Sequence, residues 1–147
     1  MRRSVHALRP PALDELGLVP AFRETAAQYC QGGLRTSVEA PEDLPPLPAA
    51  VEVAAYHIAQ EAVTNVVRHA EANTCLVRLD LDDGAGVLRL EVEDDGRGIG
   101  PERGTGVGLS SMRERAEELG GTCVIEPGAK GGTRVRVQLP CFLESGT

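Results

Sequence analysis

Aromatic residues are scarce in this chain, and tryptophan is absent. Aromatics make up 3% of the 147 residues, whereas 41% of the residues are hydrophobic. The core must therefore be aliphatic, built from Leu, Val, Ile and Ala. A chain of this length folds by default as one domain, which buries roughly 68–70% of the surface that the unfolded chain exposes.

Membrane signals and basic character are also lacking. The sequence has no signal peptide and no apolar run near the roughly 18 residues that a membrane-spanning helix needs. We therefore expect a cytoplasmic fragment without membrane contact, in a parent protein that is either membrane-anchored through a segment upstream of it or soluble. The net charge of −7 argues against nucleic-acid binding. It does not exclude a nucleotide, because backbone N–H groups and a metal ion can hold phosphates.

The cysteines lack the spacing of a metal site. Cys30, Cys75, Cys123 and Cys141 include no C-x-x-C pair, and no histidine lies near them in a zinc-binding pattern. We expect them to be reduced, buried thiols.

The order of the predicted elements indicates the fold class. Hydrophobic periodicity and turn residues predict helices at Val19–Cys30, Ala49–Ala72 and Leu109–Leu119, and strands at Leu34–Glu39, Thr74–Leu81, Val87–Glu93, Thr122–Glu126 and Thr133–Leu139. The last four strands arrive as two hairpins and not as βαβ units. The pattern therefore predicts an α/β two-layer sandwich, with a mixed, mostly antiparallel sheet covered on one face by about three helices.

Four polar residues lie on one side of the longest predicted helix. Spacings of three and four residues bring Glu61, Asn65, Arg68 and His69 together beside the apolar stripe. A carboxamide beside a carboxylate can hold Mg²⁺, which prefers oxygen ligands and keeps several waters. Taken alone, a solvated helix face explains this cluster at least as well.

Three glycine-rich segments complete the pattern. Asp94–Gly100 follows a strand, and either of its two leading carboxylates could accept a hydrogen bond from a ligand amine. Gly104–Ser110 opens a helix, where free N–H groups and the helix dipole favour a phosphate. It is not a P-loop, because no Gly-Lys-Ser/Thr follows. Gly131-Gly132-Thr133, at the start of the last strand, is by itself typical of a hairpin turn.

In this order and on these elements, the four segments resemble the N, G1, G2 and final Gly-Thr boxes of the GHKL ATPase superfamily. That superfamily, with the Bergerat fold, comprises histidine kinases, DNA gyrase, Hsp90 and the MutL proteins. The resemblance covers about Leu34–Leu139. It implies ATP and Mg²⁺ as cofactors.

The resemblance also implies a role for each matching residue. Asn65 would coordinate Mg²⁺, with Glu61 beside it as the catalytic general base or water-positioning group. Asp94 would accept a hydrogen bond from the adenine amino group, and Thr133 would support adenine from the sheet. The implied nucleotide-binding set is Asn65, Arg68, His69, Asp94, Gly96, Gly98, Ile99, Gly104, Thr105, Gly106, Val107, Gly108, Leu109 and Thr133.

Within the superfamily, the chain looks like the sensor histidine kinases that work with NarL/LuxR-type response regulators. His6–Leu18 resembles the end of their second dimerisation helix and its linker, Ala59–Asn65 their N box, and Gly106–Arg115 their G2 box. We therefore expect residues 1–18 to be a truncated dimerisation helix and linker, and residues 19–147 to be the ATP-binding catalytic domain. The implied partners are the protein's own dimerisation and phosphoacceptor domain, which carries the histidine that receives the γ-phosphoryl group, and a response regulator.

Three alternatives remain open. One is a GHKL serine kinase of the anti-sigma-factor type, and another is a nucleotide-responsive interaction module without catalysis. The third is an ATPase of the gyrase or MutL type. The short segment between Gly98 and Gly104 implies a compact ATP lid, which disfavours the third.

Overall fold

The structure, a computed structural model, describes residues 17–30, 33–41, 44–45, 47–70, 72–82, 84–96, 107–128 and 131–141. Within these ranges the chain forms three α-helices, one π-helical turn and five strands. The helices are α1 (Leu18–Cys30), α2 (Ala49–Asn65) with the π turn Val66–Ala70 directly after it, and α3 (Val107–Glu118). The strands are β1 (Arg35–Glu39), β2 (Thr74–Asp82), β3 (Val87–Asp94), β4 (Thr122–Pro127) and β5 (Thr133–Pro140).

The strands form one sheet in the order β1-β2-β3-β5-β4. β1 is parallel to β2, and the three other pairs are antiparallel. β2–β3 and β4–β5 are hairpins, and α2 follows β1 before the chain returns as β2. This mixed, mostly antiparallel sheet, together with the three helices, confirms the predicted fold class.

Alternation along the strands gives the sheet one apolar face. Inward-pointing residues of β3 and β5 are buried, among them Leu88, Leu90, Val92, Val137 and Leu139. The predicted stripe of α2 packs in the same core, since Val51, Ala55, Ile58, Ala62 and Val66 are all buried. Burying a large aliphatic side chain stabilises a fold by about 1.5–3 kcal/mol, so this helix–sheet interface is the main source of stability.

The opposite face of the sheet carries alternating charges. Arginines on β2 and β5 lie 3.3–3.5 Å from glutamates on neighbouring strands, in the pairs Arg78–Glu39, Arg78–Glu91, Arg136–Glu91, Arg136–Glu126, Arg134–Glu126 and Arg134–Glu93. Partly exposed pairs of this kind contribute at most about 1 kcal/mol each. Their effect is to make this face polar, so that the helices cover only the other face.

The longest helix differs from its prediction. One α-helix was expected from Ala49 to Ala72, but α-helical geometry ends at Asn65 and a π turn follows. The Val66 amide donates to both the Ala62 and the Val63 carbonyl oxygens at this junction. Because a π turn advances fewer degrees per residue than an α-helix, Arg68 and His69 do not continue the row of Glu61 and Asn65 as a straight helix would place them.

Helix α3 begins at Val107, two residues before the predicted start at Leu109. It ends as predicted at the Gly120–Gly121 pair. Gly120 has a φ of +81°, and the Gly121 amide donates to the Ala116 carbonyl at 2.9 Å. This is the hydrogen-bond pattern of a Schellman C-cap, which favours glycine in the left-handed position.

The cysteines within the described residues are free thiols. Burial raises the pKa of Cys75 to about 12 and that of Cys123 to about 11, as expected for buried thiols. Cys141 is only half-buried, so the expectation of burial is wrong for it, because it lies just past the end of β5. The side chain of Cys30 lies outside the described part. No helix among the described residues is long and apolar enough to span a membrane.

Candidate functional site

The topology brings the end of α2 to the same sheet edge as Asp94 and Thr133. Three residues separate the π turn from Thr74, the first residue of β2. Since β3 is antiparallel to β2, β3 ends where β2 begins, and Cys75 pairs with Asp94. β5 is antiparallel to β3 and begins beside Asp94. The predicted Mg²⁺ and adenine residues therefore lie at one edge of the sheet.

Helix α3 begins at this edge as well. A connection of three residues joins the C-terminus of α3 to Thr122, the first residue of β4, which lies at the opposite edge beside Gln138. A 12-residue helix is about 18 Å long, so its N-terminus must lie at the far end, on the side of Asp94. Burial, and after it the nearby charge of Arg115, lowers the pKa of His57. His57 on α2 and Arg115 on α3 therefore lie near each other, as antiparallel packing of the two helices requires.

Asp94 is the buried carboxylate of the site. Its side chain is 3% exposed and points towards the helix-covered face, in phase with Leu90 and Val92. The Gly96 amide donates to Asp94 Oδ1 at 2.7 Å, and the Thr133 amide also donates to this carboxylate. Burial outweighs these bonds and raises the pKa of Asp94 above its ordinary value. The carboxylate is thus a desolvated acceptor, for which a donor from a ligand would be favourable.

Gly132 lies directly against Asp94. A β-carbon at Gly132 would collide with the Asp94 main-chain oxygen and with Oδ1 of the same residue. The φ of Gly132 is not in the left-handed region, so close approach and not backbone conformation requires glycine here. Gly132 therefore lets β5 begin close enough for the Thr133 amide to reach the carboxylate.

Thr133 supplies a second polar group beside the carboxylate. Its side chain is 6% exposed, and Oγ1 has no hydrogen-bond partner among the described residues. A buried hydroxyl without a partner is uncommon and indicates a place for a ligand or an ordered water. A carboxylate acceptor next to a hydroxyl that can donate matches the amino group and ring nitrogen of adenine. The residues present therefore fit the adenine group that the sequence implies.

Asp95 has a different role from Asp94. Its Oδ1 accepts hydrogen bonds from the amides of Asn73 and Thr74, both at 2.9 Å. These bonds, with the Thr74 amide contributing most, hold the pKa of Asp95 below its ordinary value. The sequence left both carboxylates available to a ligand amine, whereas the structure commits Asp95 to the backbone.

The predicted phosphate end is described only in part. Glu61 and Asn65 are half-buried in the last turns of α2, and Arg68 is exposed on the π turn. His69 belongs to the π turn, and Val107, Gly108 and Leu109 form the first turn of α3, but nothing of their side-chain contacts is described. The predicted residues Gly98, Ile99, Gly104, Thr105 and Gly106 lie outside the described residues.

Within the described part of the chain, the predicted Mg²⁺ ligand Asn65 has no cluster of metal-binding side chains around it. The described residues contain no group of three or more His, Cys, Asp or Glu side chains that could hold a metal ion. Mg²⁺ is usually held by one or two protein groups together with substrate phosphates and waters, and half-buried Asn65 and Glu61 suit that arrangement.

Two residues of this edge were not predicted as site residues. Gly132 was assigned to a hairpin turn and to the final Gly-Thr box without a role of its own, and Asp95 was only a possible ligand acceptor. The signal for Gly132 was its position directly before the predicted adenine residue Thr133. The resemblance singled out Asp94 as the adenine residue, but residue chemistry gave Asp95 no role of its own, because that role depends on which backbone amides lie nearby.

Comparison with known proteins identifies the family to which the chain belongs. Residues 50–142 match the model of a family described as histidine kinase-, DNA gyrase B-, and HSP90-like ATPase. The sensor histidine kinase MctS of Rhizobium johnstonii is 34% identical over 146 residues, which cover 95% of this chain and 31% of that protein. The kinase/phosphatase UhpB of Salmonella typhimurium is 35% identical over 143 residues, which cover 95% of this chain and 28% of that protein.

The chain thus spans about a third of the length of these curated relatives. A solved structure of matching size is the ATP binding domain of PrrB from Mycobacterium tuberculosis. It aligns with a TM-score of 0.63 over 84% of this chain and 93% of that chain. At 22% sequence identity, this likeness supports the fold alone.

Proposed function

The chain belongs to the family of histidine kinase-, DNA gyrase B- and HSP90-like ATPases, and we propose that it is the ATP-binding catalytic domain of a sensor histidine kinase. The observation that carries the proposal is the pair formed by the buried Asp94 carboxylate and the Thr133 hydroxyl, which has no hydrogen-bond partner within the described part of the chain. This pair lies at the sheet edge where α2 ends and α3 begins. The names of the curated relatives favour a histidine kinase over the other members of the family. Residues 1–18 would connect this domain, residues 19–147, to a dimerisation domain.

At the adenine end, Asp94 accepts a hydrogen bond from the exocyclic amino group and Thr133 donates to a ring nitrogen. Guanine presents a carbonyl oxygen where adenine presents the amino group. Two acceptors would then face each other in a buried setting, which costs about 1–3 kcal/mol or more. Asp94 therefore selects adenine nucleotides.

At the phosphate end, the amides of the first turn of α3 face the phosphates, and the helix dipole adds to their attraction. Asn65 would hold Mg²⁺, which would supply positive charge to neutralise the phosphates. Glu61 orients the attacking group or takes its proton, and the family resemblance adds Arg68 and His69 as phosphate-binding residues. Phosphoryl transfer needs mainly positioning and charge stabilisation, which these groups supply.

The acceptor would be a histidine of the kinase's own dimerisation domain, and the next partner a NarL/LuxR-type response regulator. None of the chain's own histidines is assigned as acceptor, and His57 is a half-buried residue of α2 whose ring lies 6.0 Å from that of Tyr56. We place this domain in the cytoplasm, where ATP is available.

The test is a binding titration with MgATP, followed by incubation with γ-labelled ATP and a histidine-bearing dimerisation domain. We expect MgATP binding, no label on this chain alone, and acid-labile label on the added domain. Acid-stable label on a serine of a partner protein would favour the anti-sigma-factor type of kinase. Binding without transfer to either acceptor would favour a nucleotide-responsive interaction module, and stable label on the chain itself would contradict the proposal.

A further inference from the structure

Asp95 connects three elements at the edge where the proposed ATP site lies. Its Oδ1 accepts from the amides of Asn73 and Thr74, and its own amide donates to the Thr74 carbonyl at 3.3 Å. The Asn73 carbonyl in turn accepts from the Arg35 amide at 2.9 Å, which fixes the start of β1. The end of β3, the start of β2 and the start of β1 are therefore held at one point.

This point lies close along the chain to the π turn that follows α2. Only residues 71–73 separate Ala70, the last residue of the π turn, from Thr74. Three residues span at most about 11 Å when fully extended, so this connection absorbs little displacement. Fixing Asn73 and Thr74 therefore restrains the helical segment that carries Asn65 and Arg68.

The adenine end has its own, separate restraints. Asp94 is held by the amides of Gly96 and Thr133, neither of which contacts Asp95 through a described hydrogen bond. Removing the Asp95 carboxylate would therefore leave the adenine pocket formed. It would loosen the end of α2 relative to that pocket.

We propose that Asp95 is a positioning residue that sets the distance between the adenine end and the phosphate end of the ATP site. This inference rests on the proposed function, because it assumes that one nucleotide bridges Asp94 and Asn65. Asp95 acts through the backbone of Asn73 and Thr74 and does not touch the nucleotide. Loss of the clamp should weaken a ligand that spans both ends more than a ligand that occupies only the adenine end.

The experiment compares the wild-type chain with Asp95→Ala and Asp95→Asn. Affinity for MgATP is measured by calorimetry. Affinity for adenosine is measured by nuclear magnetic resonance, which detects millimolar binding through the amide signals of Gly96 and Thr133. In Asp95→Ala, we expect MgATP to bind about tenfold more weakly while the adenosine dissociation constant changes less than about twofold. The asparagine oxygen can still accept from both amides, so Asp95→Asn should stay within about threefold of wild type for both ligands.

Asp80→Ala is the matched control, because Asp80 is an exposed carboxylate on the charged face of β2. It should bind both ligands like the wild type. If Asp95→Ala does not fold, Asp95→Ser takes its place. Because the serine side chain is shorter, its preference for MgATP over adenosine should be weaker than that of Asp95→Asn.

An unchanged preference for MgATP over adenosine in Asp95→Ala would overturn the inference. Equally weakened binding of MgATP and adenosine in Asp95→Ala would also overturn it, since a purely structural role would affect both ligands. Failure of Asp95→Asn to restore binding would overturn it as well. These outcomes differ from failure of the proposed function, in which the wild-type chain itself would not bind MgATP.

Discussion

The phenol oxygen of Tyr29 lies 3.0 Å from the hydroxyl oxygen of Thr64, and this hydrogen bond joins α1 to α2 one residue before Asn65. Phe22 of α1 also stacks on Tyr56 of α2, with ring centroids 6.4 Å apart. A polar and an aromatic contact therefore attach the first helix to the helix that carries the proposed catalytic residues.

Tyr29→Phe should lower the free energy of unfolding by about 0.5–1.5 kcal/mol, because it removes one half-buried hydrogen bond and keeps the ring. Urea unfolding measures this change. Thr64→Val removes the other partner, and the double variant should cost less than the sum of the two single variants. Strict additivity would show that the bond contributes nothing to stability.

Gly132→Ala should damage both folding and nucleotide binding. The added methyl group meets the main-chain oxygen and the carboxylate of Asp94, and crowding of this kind costs about 1–3 kcal/mol. We expect a lower unfolding midpoint and weaker ATP binding. Gly84→Ala is the matched control, because its β-carbon would meet only Asp82 Oδ1 at 3.5 Å, an ordinary contact. Equal behaviour of the two variants would contradict the close packing of Gly132 on Asp94.

Asp94→Asn should have different effects on folding stability and on ATP affinity. Because burial raises the pKa of Asp94 in the folded, ligand-free chain, this residue's contribution to stability is present at low pH and is lost as the pH rises through the folded-state pKa. The asparagine variant should lack this pH dependence in urea unfolding. It should also bind ATP tenfold or more weakly, because a hydrogen bond to a charged acceptor contributes about 1.5–3 kcal/mol.

The same carboxylate should make ATP binding depend on pH. Ionised Asp94 accepts the bond from the adenine amino group more strongly than the protonated acid does, so wild-type affinity should fall as the pH is lowered through the raised pKa. The asparagine variant should show a flat profile over this range. Parallel profiles for the two proteins would remove Asp94 from the adenine site.

Asn65→Ala should remove the dependence of ATP affinity on Mg²⁺. Asn65 would supply a protein oxygen to the metal, whereas adenine contacts Asp94 and Thr133, so binding in the presence of a chelator should stay close to wild type. Calorimetric titrations with and without Mg²⁺ measure the difference. Gln28→Ala, a carboxamide deletion on the exposed side of α1, serves as control. A full Mg²⁺ effect in Asn65→Ala would refute the assignment.

Much of the fold could be predicted because it depends on local patterns. The strands begin and end within one residue of their predicted bounds, since alternation and turn residues are local signals. The C-terminus of α3 was predicted from its glycine pair for the same reason. The π turn after Asn65 was not, because no side-chain period distinguishes it from continued α-helix. The roles of the site residues stay predictions, and parts of two of the three glycine-rich segments, residues 97–100 and 104–106, lie outside the described residues.

The sequence by itself determined the order of the elements, the one-sided core and the presence of two carboxylates at the end of β3. Tertiary structure alone decided what each carboxylate does. Strand alternation turns Asp94 towards the core, where its buried carboxylate accepts hydrogen bonds from the Gly96 and Thr133 amides. One residue later the chain leaves the strand, and Asp95 meets the amides of Asn73 and Thr74, which lie 22 and 21 residues away along the chain. Such a contact depends on how β2 and β3 pair, and pairing is a property of the folded sheet and not of the local sequence.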